Sequence, residues 1–175
     1  MLTKFYTPHS LLQDFIQCIM VIHAEVDSNG SPVICPYPPA PQDSLFFYIN
    51  DRIKVLKSGE TEFRLQPRSV VVGPMVTRVM LDINKSHKAV RVGFHPGGLH
   101  RFLGLSMTEM IDGHFDAADI YGNEIETVNN QLQEAQNFDE IKNISELFLL
   151  KKVNILKKAL PFDKAMLELM RTSGS

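Results

Sequence analysis

Val90-Arg91-Val92-Gly93-Phe94-His95-Pro96-Gly97-Gly98-Leu99 is the stretch on which the fold turns. Its first half alternates: Val90, Val92 and Phe94 fall on one face, Ala89, Arg91 and Gly93 on the other. A period of two is the mark of a half-buried strand. Pro96 ends the strand, and the Gly97-Gly98 pair supplies the positive φ that a sharp strand-to-helix turn needs. Leu99, Phe102 and Leu103 then take up helical spacing. This point therefore divides β-structure before it from helix after it.

Working back toward the N-terminus, Val76 to Ile83 reads as the first arm of a hairpin with Ala89 to Phe94, turning at Asn84-Lys85-Ser86-His87. Val70-Val71-Val72 is a strand closed by Gly73-Pro74. Arg52 to Leu65 reads as a hairpin about Ser58-Gly59, with Ile53, Val55, Phe63 and Leu65 alternating. Leu45 to Ile49 is a continuous apolar run, suited to a strand covered on both faces. Four prolines between Pro36 and Pro41 confine that segment to a loop or a sheet edge. Ile19 to Val26 alternates, with Met20, Ile22, Ala24 and Val26 opposite Ile19, Val21, His23 and Glu25, and Asp27 to Pro32 is a dense turn signal. Ser10 to Gln17 puts Leu11, Leu12, Phe15 and Ile16 on one side of a short helix or an extended arm. Short strands at this spacing predict a small barrel or two-sheet jelly roll.

Working forward, Ser106-Met107-Thr108-Glu109 fits a capping box. Ile125, Val128, Leu132 and Ala135 form an amphipathic stripe. A second long helix starts near Asp139 and holds Ile141, Ile144, Leu147, Phe148 and Val153. Its run Leu147-Phe148-Leu149-Leu150 spreads over more than one face. Either one surface packs on the barrel while Ile144, Leu147, Phe148 and Leu150 meet a partner chain, or the helix is buried on two sides. The fold class expected is α+β: a small β-barrel followed by a C-terminal helical segment.

The chain has 175 residues, 44% of them apolar, and no run near the ~20 apolar residues of a membrane-spanning helix. Two cysteines, Cys18 and Cys35, make no disulfide framework, which points to a reducing cytoplasm. A net charge of −2 argues against nucleic-acid binding by this segment. The chemistry-bearing motifs are missing. The six histidines (His9, His23, His87, His95, His100, His114) are scattered, with no His-x-His. His23 and Glu25 fit a surface or pocket-rim pair. No Gly-x-Ser-x-Gly elbow or Gly-Lys-Ser/Thr phosphate loop occurs, and Cys18 lies in an apolar stretch that keeps thiols inert. No catalytic residue, metal or cofactor is expected.

The segment Val90–Gly98, followed by Leu103-Gly104, Met107-Thr108-Glu109-Met110, Asp112 and Asp119-Ile120-Tyr121-Gly122, resembles the sensing domains of AraC-type transcription regulators. Tyr6, Pro8, Leu12, Phe15-Ile16, the proline-rich segment, Leu45–Tyr48 and Gly73-Pro74 follow the same order upstream, so the resemblance spans roughly residues 5 to 135. Phe94, Pro96, Gly97 and Gly98 form its turn motif. The resemblance implies a cupin-like barrel that binds a small-molecule effector (residues 1–122), a helical dimerisation segment (123–160), and a linker with the first helix of a helix-turn-helix module (161–175). Phe162 to Arg171 resembles that first helix. The expectation is a homodimer whose DNA contacts belong to a C-terminal module that this chain lacks, cut after its first helix rather than naturally without it. Tyr48, Arg78, Arg91 and His23 are the candidate effector contacts, as polar or aromatic groups on apolar strands. The competing readings are a cupin-like metal-dependent isomerase or dioxygenase, and a stand-alone protein-interaction module.

Overall fold

The computed structural model describes residues 1–26, 33–104, 107–158 and 160–172. The turn signal at Asp27–Pro32, the capping Ser106 and the terminal Ser173–Ser175 lie outside these residues. Among the described residues ten strands, all antiparallel, form two sheets. The strands are β1 (Leu2–Tyr6), β2 (Ile16–Glu25), β3 (Ile34–Tyr37), β4 (Ser44–Tyr48), β5 (Lys54–Lys57), β6 (Arg64–Leu65), β7 (Ser69–Val72), β8 (Val79–Asp82), β9 (Ser86–Phe94) and β10 (His114–Asp116). The larger sheet runs β1-β2-β9-β4-β7-β10, the smaller β3-β8-β5-β6. Helices α1 (Gly98–Leu103), α2 (Met107–Met110), α3 (Ala117–Tyr121), α4 (Asn123–Glu134), α5 (Phe138–Val153) and α6 (Pro161–Arg171) follow β9 in sequence. The fold is α+β, a cupin-like two-sheet barrel with its helices C-terminal.

Period-two alternation explains why the large sheet serves two layers. Ile19 and Val21 of β2, Phe47 of β4, Val71 of β7, and Val90, Val92 and Phe94 of β9 all face the helices, packing with Ile125, Leu132, Ile141 and Leu149. The intervening residues Tyr48, Val70 and Ala89 face the small sheet and meet Ile53, Val55, Leu81 and Ile83. Leu45–Ile49 is thus covered on both sides, as its unbroken apolar run requires. The α4 stripe Ile125, Val128, Leu132 and Ala135 is buried in the same core. Residues after 122 therefore share a core with those before it.

The Pro-Gly-Gly turn uses its two glycines differently. Gly97 takes φ 78° at the start of α1, where a side chain would be strained. Gly98 is needed for close approach: a Cβ there would lie 2.3 Å from the Phe15 carbonyl oxygen. Pro36 lies on β3, an edge strand, where its missing N–H costs nothing.

Three expectations change. Val76–Ile83 and Ala89–Phe94 are not a hairpin. β8 pairs with β3 and β5, whereas β9 pairs with β2 and β4, so the turn carries the chain from one sheet to the other. Asn84, with φ 56°, makes that turn, its N–H bound by the Asp82 carboxylate at 3.2 Å. Val76 precedes β8 and is 65% exposed. In the N-terminal stretch a 3-10 turn at Ser10–Leu12 buries Leu12 and Ile16 but leaves Leu11 61% exposed. The hairpin of β5 and β6 does form, although its second strand is only Arg64–Leu65 and Leu65 points out.

Candidate functional site

Between the two sheets lies a cavity of about 240 Å³. Parity along each strand determines its lining. From the large sheet come Met20 and Ile22, Phe46 and Tyr48, Val72, and His87 and Arg91; the small sheet adds residues such as Tyr37, Val55 and Leu81. Cross-strand pairing sets them in rows: Met20, Arg91 and Phe46 are neighbours, as are Ile22, Ala89 and Tyr48. The segment Asp112–His114 closes one side. Asp112, at φ 52°, is held by its own carboxylate, which accepts the N–H groups of Val76 at 2.8 Å and Thr77 at 3.2 Å. Those bonds keep the carboxyl below its ordinary range.

Arg91 is the strongest polar feature of the wall. Its Nε donates to Ser44 Oγ at 2.9 Å and its Nη2 to Gln42 Oε1 at 2.6 Å, and its guanidinium lies 5.9 Å from the Phe46 ring centroid. At the other end of the β9 row His87 tilts against Tyr48, with 6.1 Å between ring centroids. Burial lowers the His87 pKa, and its Nδ1 is buried with no partner among the described residues. Burial likewise pushes the Tyr48 hydroxyl up.

The structure places two of the four sequence-derived effector contacts, Tyr48 and Arg91, on this wall. It places His23 and Arg78 elsewhere. On β2 the even-numbered residues face the cavity, so His23 points the other way and pairs with Glu25 at 2.9 Å. Arg78 precedes β8, is exposed, and donates to the Met80 sulfur. Conversely, Lys57, His87 and the Asp112–His114 segment were missed. Lys57 continues the Ile53–Val55 alternation up to the Ser58-Gly59 turn, and His87 continues the Ala89–Arg91 alternation backward into residues that read as turn.

A metal centre of the kind a cupin-like enzyme uses does not fit this donor set. β9 and β10 are separated by β4 and β7, about 14 Å at ~4.8 Å per strand, which parts His87 from His114. The Asp112 carboxylate is spent on backbone N–H groups. Among the described residues no three His, Cys, Asp or Glu side chains gather as ligands.

On the opposite face of the molecule, α4 and α5 enclose a groove bordered by Val128, Ala135, Ile144 and Leu147. Of the four residues proposed for dimerisation, only Leu147 stands out, 59% exposed. Ile144 and Leu150 are partly buried against the core. Phe148 is 2% exposed, set edge-on to Phe47 at 6.2 Å and Tyr121 at 5.1 Å, and borders the groove from below.

No helix of the described residues is long and apolar enough to cross a membrane. A family model described as a domain of unknown function, DUF6597, matches residues 4–116. No curated protein matches the sequence. Among solved structures, ToxT K231A from Vibrio cholerae aligns at TM-score 0.46 and 12% identity, over 88% of this chain and 64% of that one. A putative mannose-6-phosphate isomerase from Ralstonia eutropha aligns at 0.37 and 15%, over 53% of this chain and 82% of its own. A putative ethanolamine utilization protein Q from Salmonella typhimurium gives 0.37 and 9%, over 53% and 67%.

Proposed function

We propose, for a chain that belongs to the DUF6597 family, that it is the effector-sensing and dimerising part of an AraC-type transcription regulator, working in the cytoplasm and not as an enzyme. The observation that carries this reading is the cavity itself, together with what lies at the end of its floor. β9 supplies Arg91 and His87 to the cavity and runs directly into the Phe94–Gly98 turn. The Asp163 carboxylate of α6 rests on that turn: a Cβ at Gly97 would come within 2.3 Å of its Oδ1. Asp163 also caps α6 by accepting the Leu160 N–H at 2.8 Å. A ligand that favours one setting of β9 thereby biases where α6 sits, which is the population shift a sensor needs. By the motif resemblance, α6 is the start of the DNA-binding module that would read this shift.

Thermal denaturation against a panel of metabolite classes tests sensing. A true effector at 100 times its Kd stabilises by about 2.7 kcal/mol, which raises Tm by about 5–10 °C in a domain of this size. Ile22→Trp, which places a larger side chain in the cavity lining, should remove the response. No stabilisation by any class overturns the reading. Dimerisation rests on the exposed Leu147 beside the α4–α5 groove. Sedimentation across a concentration series should show a dimer; a monomer throughout removes that part.

A further inference from the structure

The cavity wall has a lopsided charge. Arg91 and Lys57 face it, and the one acid in its lining, Asp112, is already committed to two backbone N–H groups. Lys57 reaches the Asp112 carbonyl oxygen at 3.3 Å, so it too has a partner. Arg91 differs. Both its hydrogen-bond partners, Ser44 Oγ and Gln42 Oε1, are neutral. A guanidinium has five N–H donors and does not deprotonate in proteins. Two donors are used, leaving about three with no carboxylate among the described residues to meet them, on a residue that lines the cavity.

The arm that holds Arg91 is itself built. Gln42 lies across the bare backbone of Gly93: a Cβ there would stand 2.7 Å from its Nε2. From that position Gln42 bonds Gln17 Oε1, the Phe94 carbonyl at 3.4 Å, and Arg91. The fork is thus oriented before any ligand arrives. Planar, pre-set guanidinium forks match carboxylates in two-point contact.

Size and the remaining wall restrict the rest of the ligand. A cavity of about 240 Å³ matches about eight waters at ~30 Å³ each, or a molecule on the order of ten non-hydrogen atoms. Arg91 and His87 both line it from β9, four residues or ~13 Å of strand apart. Between them stand Met20, Ile22, Phe46 and Tyr48. Those side chains favour an apolar body over a sugar ring, and the Arg91 end repels an amine. At the far end stands the His87 ring, where burial opposes protonation and so disfavours a second charge.

We infer that the effector is a small apolar monocarboxylic acid, aryl or short aliphatic, whose carboxylate forks onto Arg91 and whose body lies along β9. This rests on the sensing reading above and names the chemistry of its ligand. Isothermal titration at pH 7.5 with 3-phenylpropanoate and octanoate, each beside its primary alcohol, tests it. The acids should bind about 10- to 100-fold more tightly than the alcohols, the factor that hydrogen bonds to a charged group supply. Arg91→Gln should abolish that preference while leaving alcohol binding within about twofold. Gln42→Ala, which keeps the charge but frees the fork, should weaken the acids several-fold and leave the alcohols unchanged; it also serves should Arg91→Gln fail to fold. Acids and alcohols binding alike, or Arg91→Gln retaining the acid preference, overturns the inference. So does a metabolite panel in which only a sugar or an amine binds, and in those three cases the sensing reading stands. If nothing in the panel binds, both fall.

Discussion

Asp43 offers a quantitative test of how the β4–β9 edge is packed. Its side chain lies in the segment entering β4, 3% exposed, with Oδ1 buried and without a hydrogen-bond partner among the described residues. Its own carbonyl accepts the Phe94 N–H at 3.0 Å, which holds it against the end of β9. Loss of water around the carboxyl pushes its pKa from an ordinary 3.8 up to about 6. A folded-state pKa above the unfolded one means that ionisation opposes folding. The cost is absent below pH 3.8, grows between there and pH 6, and is complete above it. At 1.36 kcal/mol per pKa unit it reaches at most about 3 kcal/mol. Asp43→Asn removes the charge and keeps the shape. Urea denaturation at a series of pH values between 3.5 and 8 should give equal stabilities for the two proteins at the acid end. At pH 8 the variant should be more stable by about 2–3 kcal/mol, with unchanged m-values. A difference independent of pH, or a variant less stable at pH 8, would refute the burial of an unpaired carboxyl at this site.

Other outcomes follow from the same geometry. Phe148→Ala should cost about 3–5 kcal/mol by urea denaturation, as for a core aromatic, and Leu147→Ala about 0.5 or less; Leu147→Glu should shift sedimentation toward monomer without changing Tm. Gly97→Ala carries a φ of 78° and a Cβ at 2.3 Å from Asp163 Oδ1, so it should cost at least 1–2 kcal/mol and raise hydrogen exchange in Pro161–Arg171 above that in α5. Substituting His23 or Arg78 with Ala should leave effector affinity within about twofold, because neither side chain lines the cavity.

Much of this fold can be read from residue order, and its failures are instructive. Alternation in Ile19–Val26 and Ala89–Phe94, and the stripe Ile125–Ala135, report faces reliably, because burial on one side is a local property of a strand or helix. Which strand pairs with which is not local. Asn84 turns the chain between sheets, and nothing in the alternation of Val79–Asp82 distinguishes that from a hairpin. The same limit explains Phe148: an apolar run on α5 shows that more than one face is covered, but not that the cover is Phe47 and Tyr121 of the same chain. At the candidate site, Tyr48 and Arg91 stood out as polar or aromatic residues on apolar strands. His23 stood out for the same reason, yet parity turns it to the other side. His87 is concealed because strand β9 begins within residues that read as a turn, and Lys57 because it is a lysine at the end of β5, beside the Ser58-Gly59 turn.

The central claim is that this barrel binds its ligand between the two sheets. Methyl NMR of methionine-labelled protein tests it directly, because Met20 and Met75 line the cavity whereas Met110 is buried on the far side of the large sheet, among the helices. A saturating stabilising ligand should move the Met20 and Met75 resonances and leave Met110 in place. A ligand that shifts Met110 while Met20 and Met75 stay fixed would contradict the account.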